Sequence, residues 1–130
     1  MARPVRAAGE SGSKMTVSRV VVCALGELAD GAARGFEFQT SEGLREGFVV
    51  RRGECLVAYR NVCPHLGNPL NWKPDAFLTR ARDQIMCSVH GAVFEIETGL
   101  CVGGACLGRS LTAIPVEVVD AQVIVDPGGG

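Results

Sequence analysis

The sequence predicts an all-β fold, an antiparallel sandwich or small barrel, from three observations. Apolar residues fall in short runs rich in Val, Ile and Phe, turn signals separate those runs, and no long amphipathic helix is visible. The length agrees, because a chain of 130 residues makes one domain and buries roughly two-thirds of its unfolded surface. Hydrophobic residues at 47% and charged residues at 21% are those of an ordinary globular domain.

Residues 1-14 mix Gly, Ser, Ala and charge without periodicity and read as a flexible tail, and residues 128-130 read as a flexible end. Residues 15-127 are the domain. Val17 to Ala24 is the first strand, and Leu25 to Asp30 reads as one helical turn ended by Gly31. Strands are then expected at Phe36 to Thr40, Gly47 to Arg51 and Cys55 to Arg60, the last two separated by the turn Arg52-Gly53-Glu54. Asn61 to Asp83 breaks the pattern: Pro64, Gly67, Asn68, Pro69, Asn71 and Pro74 crowd a stretch without a period, a long loop of the kind that usually carries function. Gln84 to Met86 and Ala92 to Ile96 resume the strands up to Glu97-Thr98-Gly99. Ala113 to Val119 and Gln122 to Val125, joined at Asp120-Ala121, complete them.

Thirteen basic and fourteen acidic residues leave a net charge of -1, so there is no footprint for nucleic acid and no polybasic membrane patch. The amino-terminal residues lack the apolar core of about 7 to 15 residues found in a secretory signal. Later apolar runs such as Val20 to Leu25 are far shorter than the ~20 residues that span a bilayer. A cytoplasmic protein without a membrane anchor is expected. In a reducing compartment the six cysteines stay thiols, which favours metal or redox chemistry over a disulfide framework.

The chain has two histidines, and each lies within three residues of a cysteine: Cys63-Pro64-His65 and Cys87-Ser88-Val89-His90. Two thiolates and two imidazoles are a mixed soft and borderline ligand set, suited to zinc or to an iron–sulfur cluster. Zinc modules usually pair like with like in each short turn, whereas here each turn carries one cysteine and one histidine. Two such turns facing each other would set both sulfurs deep and both imidazoles at the rim, an arrangement suited to two irons. A structural zinc site remains the alternative.

At these residues the chain resembles the Rieske family, with its Cys-x-His followed at a distance by Cys-x-x-His. CPHLGNPL and CSVHGAVFEIETG are similar to the cluster-binding loops of soluble Rieske-type 2Fe-2S ferredoxins, and VCALGEL, VVRRGECLVAYRNVCPH and LTAIPVEVVDAQVIV resemble the flanking strands. The likeness covers roughly Val17 to Val125 and implies a Rieske-like sandwich or barrel with a cluster-binding subdomain formed by two loops. It further implies a 2Fe-2S cofactor whose inner iron is held by Cys63 and Cys87 and whose outer iron is held by His65 and His90.

The departures from the family pattern carry expectations too. Asn68 and Val89 match the positions where high-potential members have a disulfide, so that bridge is impossible here. Ala92 and Phe94 match a serine and a tyrosine whose hydroxyls serve cluster and cysteine sulfur, so less electron density is stabilised. A low potential follows, on the order of -150 mV to 0 mV. The ligand loop is also long, and Trp72 and Phe77 within it either cover one side of the cluster or anchor the loop to the core. Gly103-Gly104-Ala105 stands where relatives often have Gly-Pro-Ala, which implies a looser backbone.

Cys23 and Cys55 read as small core hydrophobes. Cys101 and Cys106 either pack or form a reversible disulfide in the loop facing the cluster. Arg51, Arg52, Arg80 and Arg82 read as exposed, solvated charges.

If both histidines are ligands, no imidazole is left for a catalytic base or a mononuclear iron centre, so the chain cannot by itself be a complete oxygenase and reads as the electron-transfer component of an oxidoreductase system. The function implied is one-electron transfer by a ferredoxin component, from a flavin-dependent reductase to a terminal oxygenase or other oxidoreductase. An iron–sulfur redox sensor or regulatory subunit is the alternative from another class.

Overall fold

Gly47 to Val50 are buried without a break, and a strand with one wet face cannot produce that pattern. The reason is a sheet that serves two cores. In the computed structural model, which describes residues 19–64, 67–89, 91–104 and 106–127, ten strands run in the order β1 (Val20–Ala24), β2 (Ala33–Thr40), β3 (Gly43–Arg52), β4 (Cys55–Arg60), β5 (Gln84–Met86), β6 (Val93–Glu95), β7 (Cys101–Gly103), β8 (Ala113–Ile114), β9 (Val116–Val119) and β10 (Gln122–Val125). They form three antiparallel sheets, β1-β10-β9, β2-β3-β4-β8 and β5-β6-β7, so the chain is all-β as expected.

Side chains alternate across the four-stranded sheet. Phe48 and Val50 of β3 and Tyr59 of β4 enter a core shared with Leu70, Phe77, Ile85, Phe94 and Ile96 on the side of β5-β6-β7. Val49 of β3 and Ala58 of β4 enter the other, with Cys23, Val123 and Val125 of β1 and β10. The four-stranded sheet is therefore the middle layer.

Several expected boundaries shift. The helical turn at Leu25 to Asp30 shrinks to a 3-10 turn at Leu25–Glu27. β2 begins at Ala33 because Ala33, Arg34 and Gly35 pair with Val50, Val49 and Phe48, and β3 begins at Gly43 because the hairpin pairs Thr40 with Gly43 and extends the ladder through charged residues that lack a strand pattern. Ala113 to Val119 splits into β8 and β9 at Pro115, which has no amide hydrogen to donate. β7 was not expected: its Cys-Val-Gly run is too short to show alternation. Arg51 is half-buried rather than solvated, and its Nη1 donates to the Leu28 carbonyl at 2.9 Å. Cys23 lies in the second core, where burial raises its thiol pKa, and Cys55 is half-buried.

The expected tail at 1-14, the end at 128-130, His65 and His90 lie outside the described residues. Among the described residues no helix is long and apolar enough to cross a membrane.

Candidate functional site

Cys63 lies just beyond β4 and Cys87 immediately after β5, and both start the same backbone turn. The Cys63 amide donates to the Asn68 carbonyl at 2.8 Å, and the Cys63 carbonyl accepts from Gly67 at 2.7 Å. Likewise the Cys87 amide donates to the Ala92 carbonyl and the Cys87 carbonyl accepts from Gly91, both at 2.8 Å. Each segment is a cysteine followed four residues later by glycine, and Gly67 and Gly91 have φ of +81° and +75°, where a side chain would be strained. The β6–β7 hairpin is closed the same way at Glu95, Gly99 and Leu100. The two cysteine segments are thus hairpin-type turns whose first residue is turned into the core.

That placement buries both sulfurs. Cys63 is 2% exposed and Cys87 0%, among Phe48, Leu70, Phe77 and Phe94. The Ser88 amide donates to the Leu70 carbonyl at 2.9 Å and ties the second turn to the long loop. That loop is anchored by Phe77, which stacks on Phe48 at 4.2 Å between ring centres, and by Asp75, which accepts from the Gly35 amide at 2.8 Å. Of the two roles open to Trp72, anchoring is not the one the structure shows: it is 67% exposed, with the Lys73 ammonium 4.6 Å from its ring centre.

A third segment, following β7, closes over the first two. Gly104 has φ of +96°, and a Cβ there would stand 2.7 Å from the Ala92 Cα. Its backbone is therefore packed tightly on the second turn, not loosened as expected, and a φ that proline cannot adopt makes the contact possible. Arg109 donates from Nη1 to the Pro64 carbonyl at 2.9 Å, pinning the same segment to the first turn. Between these points Cys106, 0% exposed, brings its Sγ to 3.6 Å from that of Cys63. Cys101 Sγ donates to the Gly103 carbonyl at 3.2 Å.

Asn68 is the second neighbour of a candidate sulfur. Its Nδ2 donates to the Pro69 carbonyl at 2.8 Å and to Cys87 Sγ at 3.6 Å. Its Oδ1 is buried with no hydrogen-bond partner among the described residues. Sequence reasoning placed Asn68 only as the counterpart of a missing cysteine, and it gave Asn61, whose side chain braces the first turn, no role.

Among the described residues no three of the His, Cys, Asp and Glu side chains gather as a metal site, so the described share of the constellation is its two buried sulfurs. Soft donors from two separate turns, shielded from water and with an amide N–H aimed at one of them, fit the thiolate half of an iron–sulfur cluster. Such a group supplies a reversible one-electron change when bound.

The Rieske [2Fe-2S] domain family matches residues 18–119. The chain is 32% identical over 88 residues, 68% of its length, to the cytochrome b6-f complex iron-sulfur subunit of Chlorobaculum thiosulfatiphilum, and spans 42% of that protein. The ferredoxin of carbazole 1,9a-dioxygenase from Nocardioides aromaticivorans IC177 matches with a TM-score of 0.67 at 26% identity, covering 84% of this chain and 97% of that one. The terminal oxygenase of carbazole 1,9a-dioxygenase from Novosphingobium sp. KA1 shares the fold, with a TM-score of 0.69 at 20% identity over 85% of this chain and 30% of that one. The chain belongs to the Rieske [2Fe-2S] domain family, which makes it an electron-carrying iron–sulfur protein with a Rieske 2Fe-2S cluster as its cofactor.

Proposed function

We propose that residues 15-127 form a soluble, cytoplasmic ferredoxin in which Cys63 and Cys87 hold the inner iron and His65 and His90 the outer one. The loaded protein takes one electron from a flavin-dependent reductase and gives one electron to a terminal oxygenase or other oxidoreductase, with no atom transferred to or from the chain. The observation that carries the reading is the pair of like turns, Cys63 to Gly67 and Cys87 to Gly91, each burying its cysteine sulfur and each containing one histidine in sequence. The ferredoxin reading is drawn from the likeness in fold to the Nocardioides ferredoxin, at a TM-score of 0.67 and 26% identity. An oxygenase as acceptor is drawn from that same ferredoxin, which serves carbazole 1,9a-dioxygenase.

The test is an absorption spectrum and a low-temperature electron paramagnetic resonance spectrum of the dithionite-reduced protein, with iron and zinc quantified in the same sample. Two irons per chain and the low average g-value of a histidine-ligated cluster are expected. One colourless zinc per chain, persisting after anaerobic reconstitution with iron and sulfide, would overturn the assignment.

A further inference from the structure

We propose that Asn68 and Cys106 are positioning residues for the electron, each donating a hydrogen bond to one of the two cluster-bound sulfurs, and that together they raise the reduction potential. The proposal rests on the ligand reading given above for Cys63 and Cys87. It assigns each sulfur its own donor: Asn68 serves Cys87, and Cys106 serves Cys63.

The orientation of the Asn68 amide is fixed by its second partner. The Pro69 carbonyl lies 2.8 Å away and can only accept, so the amide nitrogen must face it, and the other hydrogen of that NH2 group is free to reach Cys87 Sγ at 3.6 Å. For Cys106 the direction follows from the chemistry of ligation. Either thiol of the 3.6 Å pair could donate in the metal-free chain, but a ligating Cys63 has given up its proton, and only Cys106 keeps one. Cys106 and both candidate ligand sulfurs are buried, so the Cys106–Cys63 contact is kept from water, while Asn68 reaches the buried Cys87 sulfur from a half-buried position.

A donor aimed at a ligating sulfur stabilises the more electron-rich, reduced state over the oxidised one. Ala92 and Phe94 have no hydroxyl to offer. The side chains that supply donors here come from other places, the end of the first turn and the segment after β7.

The experiment uses the loaded protein and three variants: Asn68→Ala, Cys106→Ala and Cys106→Ser. Midpoint potentials are measured by voltammetry, with iron and sulfide counts and g-values taken on each sample. Both alanine variants should keep two irons and the wild-type g-values, while the reduction equilibrium weakens by roughly two- to tenfold each, tenfold being about 59 mV for one electron. The serine variant keeps a donor and should stay nearer the wild type than the alanine one. Alanine variants that load normally and titrate at the wild-type potential overturn the proposal. If the variants fail to load, resonance Raman of the wild type decides: transfer to deuterated water should shift the Fe–S(Cys) stretching bands, and unshifted bands overturn it. A wild-type spectrum without the histidine-ligated signature removes the ligand reading, and the proposal with it.

Discussion

Asn61 lies two residues before Cys63 with both polar atoms of its side chain engaged. Its Oδ1 accepts from the Leu70 amide at 2.7 Å, and its Nδ2 donates to Asn71 Oδ1 at 2.8 Å and to Glu46 Oε1 at 3.1 Å. One side chain thus joins β3, the end of β4 and the long loop, and at 5% exposure it is the one buried polar side chain among the described residues. Asn61→Ala would leave the buried Leu70 amide without an acceptor, and the expected loss is about 2 kcal/mol of unfolding free energy, read from urea titration. A loss below ~0.5 kcal/mol would show that water replaces the lost acceptor. Residues of this kind are hard to read in a sequence: Asn61 opens a stretch crowded with Pro, Gly and Asn, where an asparagine signals a turn. Cys63 and Cys87 stand out in the sequence because each has one of the two histidines within three residues, a local pattern. The contacts of Asn68 and Cys106 with individual sulfurs form only when distant segments fold together.

The β9–β10 hairpin carries a local conflict of its own. Val119 pairs with Gln122, so Asp120 and Ala121 make the whole loop, and both have positive φ, +53° and +62°. Two residues in that region are the mark of a type I′ turn, which prefers glycine at the second position. Ala121→Gly should relieve the left-handed strain of a Cβ-bearing residue at some cost in unfolded-chain entropy, for a net gain of about 0.5–1 kcal/mol. Thermal unfolding checks it, and because the turn belongs to the sheet away from the site, the reduction potential should not move. The turn itself was legible, as were most strands, because Val, Ile and Phe runs are local signals. β7 was not legible, and neither was the start of β3, where Leu44, Arg45 and Glu46 are held by pairing with Gln39, Phe38 and Glu37 respectively rather than by their own propensity.

The middle sheet and the site sheet are joined through Tyr59. Its hydroxyl donates to the Ile96 carbonyl at 2.7 Å, and its ring lies so close to Gly99 that a Cβ there would meet it at 2.7 Å. Burial pushes the Tyr59 pKa up from 10.0 to about 12, with smaller contributions from Cys55, Glu97 and Glu95. The native state therefore holds this proton more tightly than the unfolded chain does. The stabilisation is fully present below pH 10 and is lost as pH rises through about 12. Urea midpoints measured between these limits should fall with pH, and Tyr59→Phe should flatten that fall; an unchanged slope would assign the alkaline loss to other groups.

The three-layer arrangement also limits where current can pass. The cysteine turns belong to the core on one side of the middle sheet, and β1 and β10 belong to the other. With packed sheets about 10 Å apart, two spacings put roughly 20 Å of insulating protein behind the site sheet. In front of it, the residues beside the turns and the third segment, Val62, Val89 and Leu107, are open to solvent. On the ferredoxin reading proposed above, that open face is the terminal through which both donor and acceptor would be met in turn, with a dissociation in each turnover.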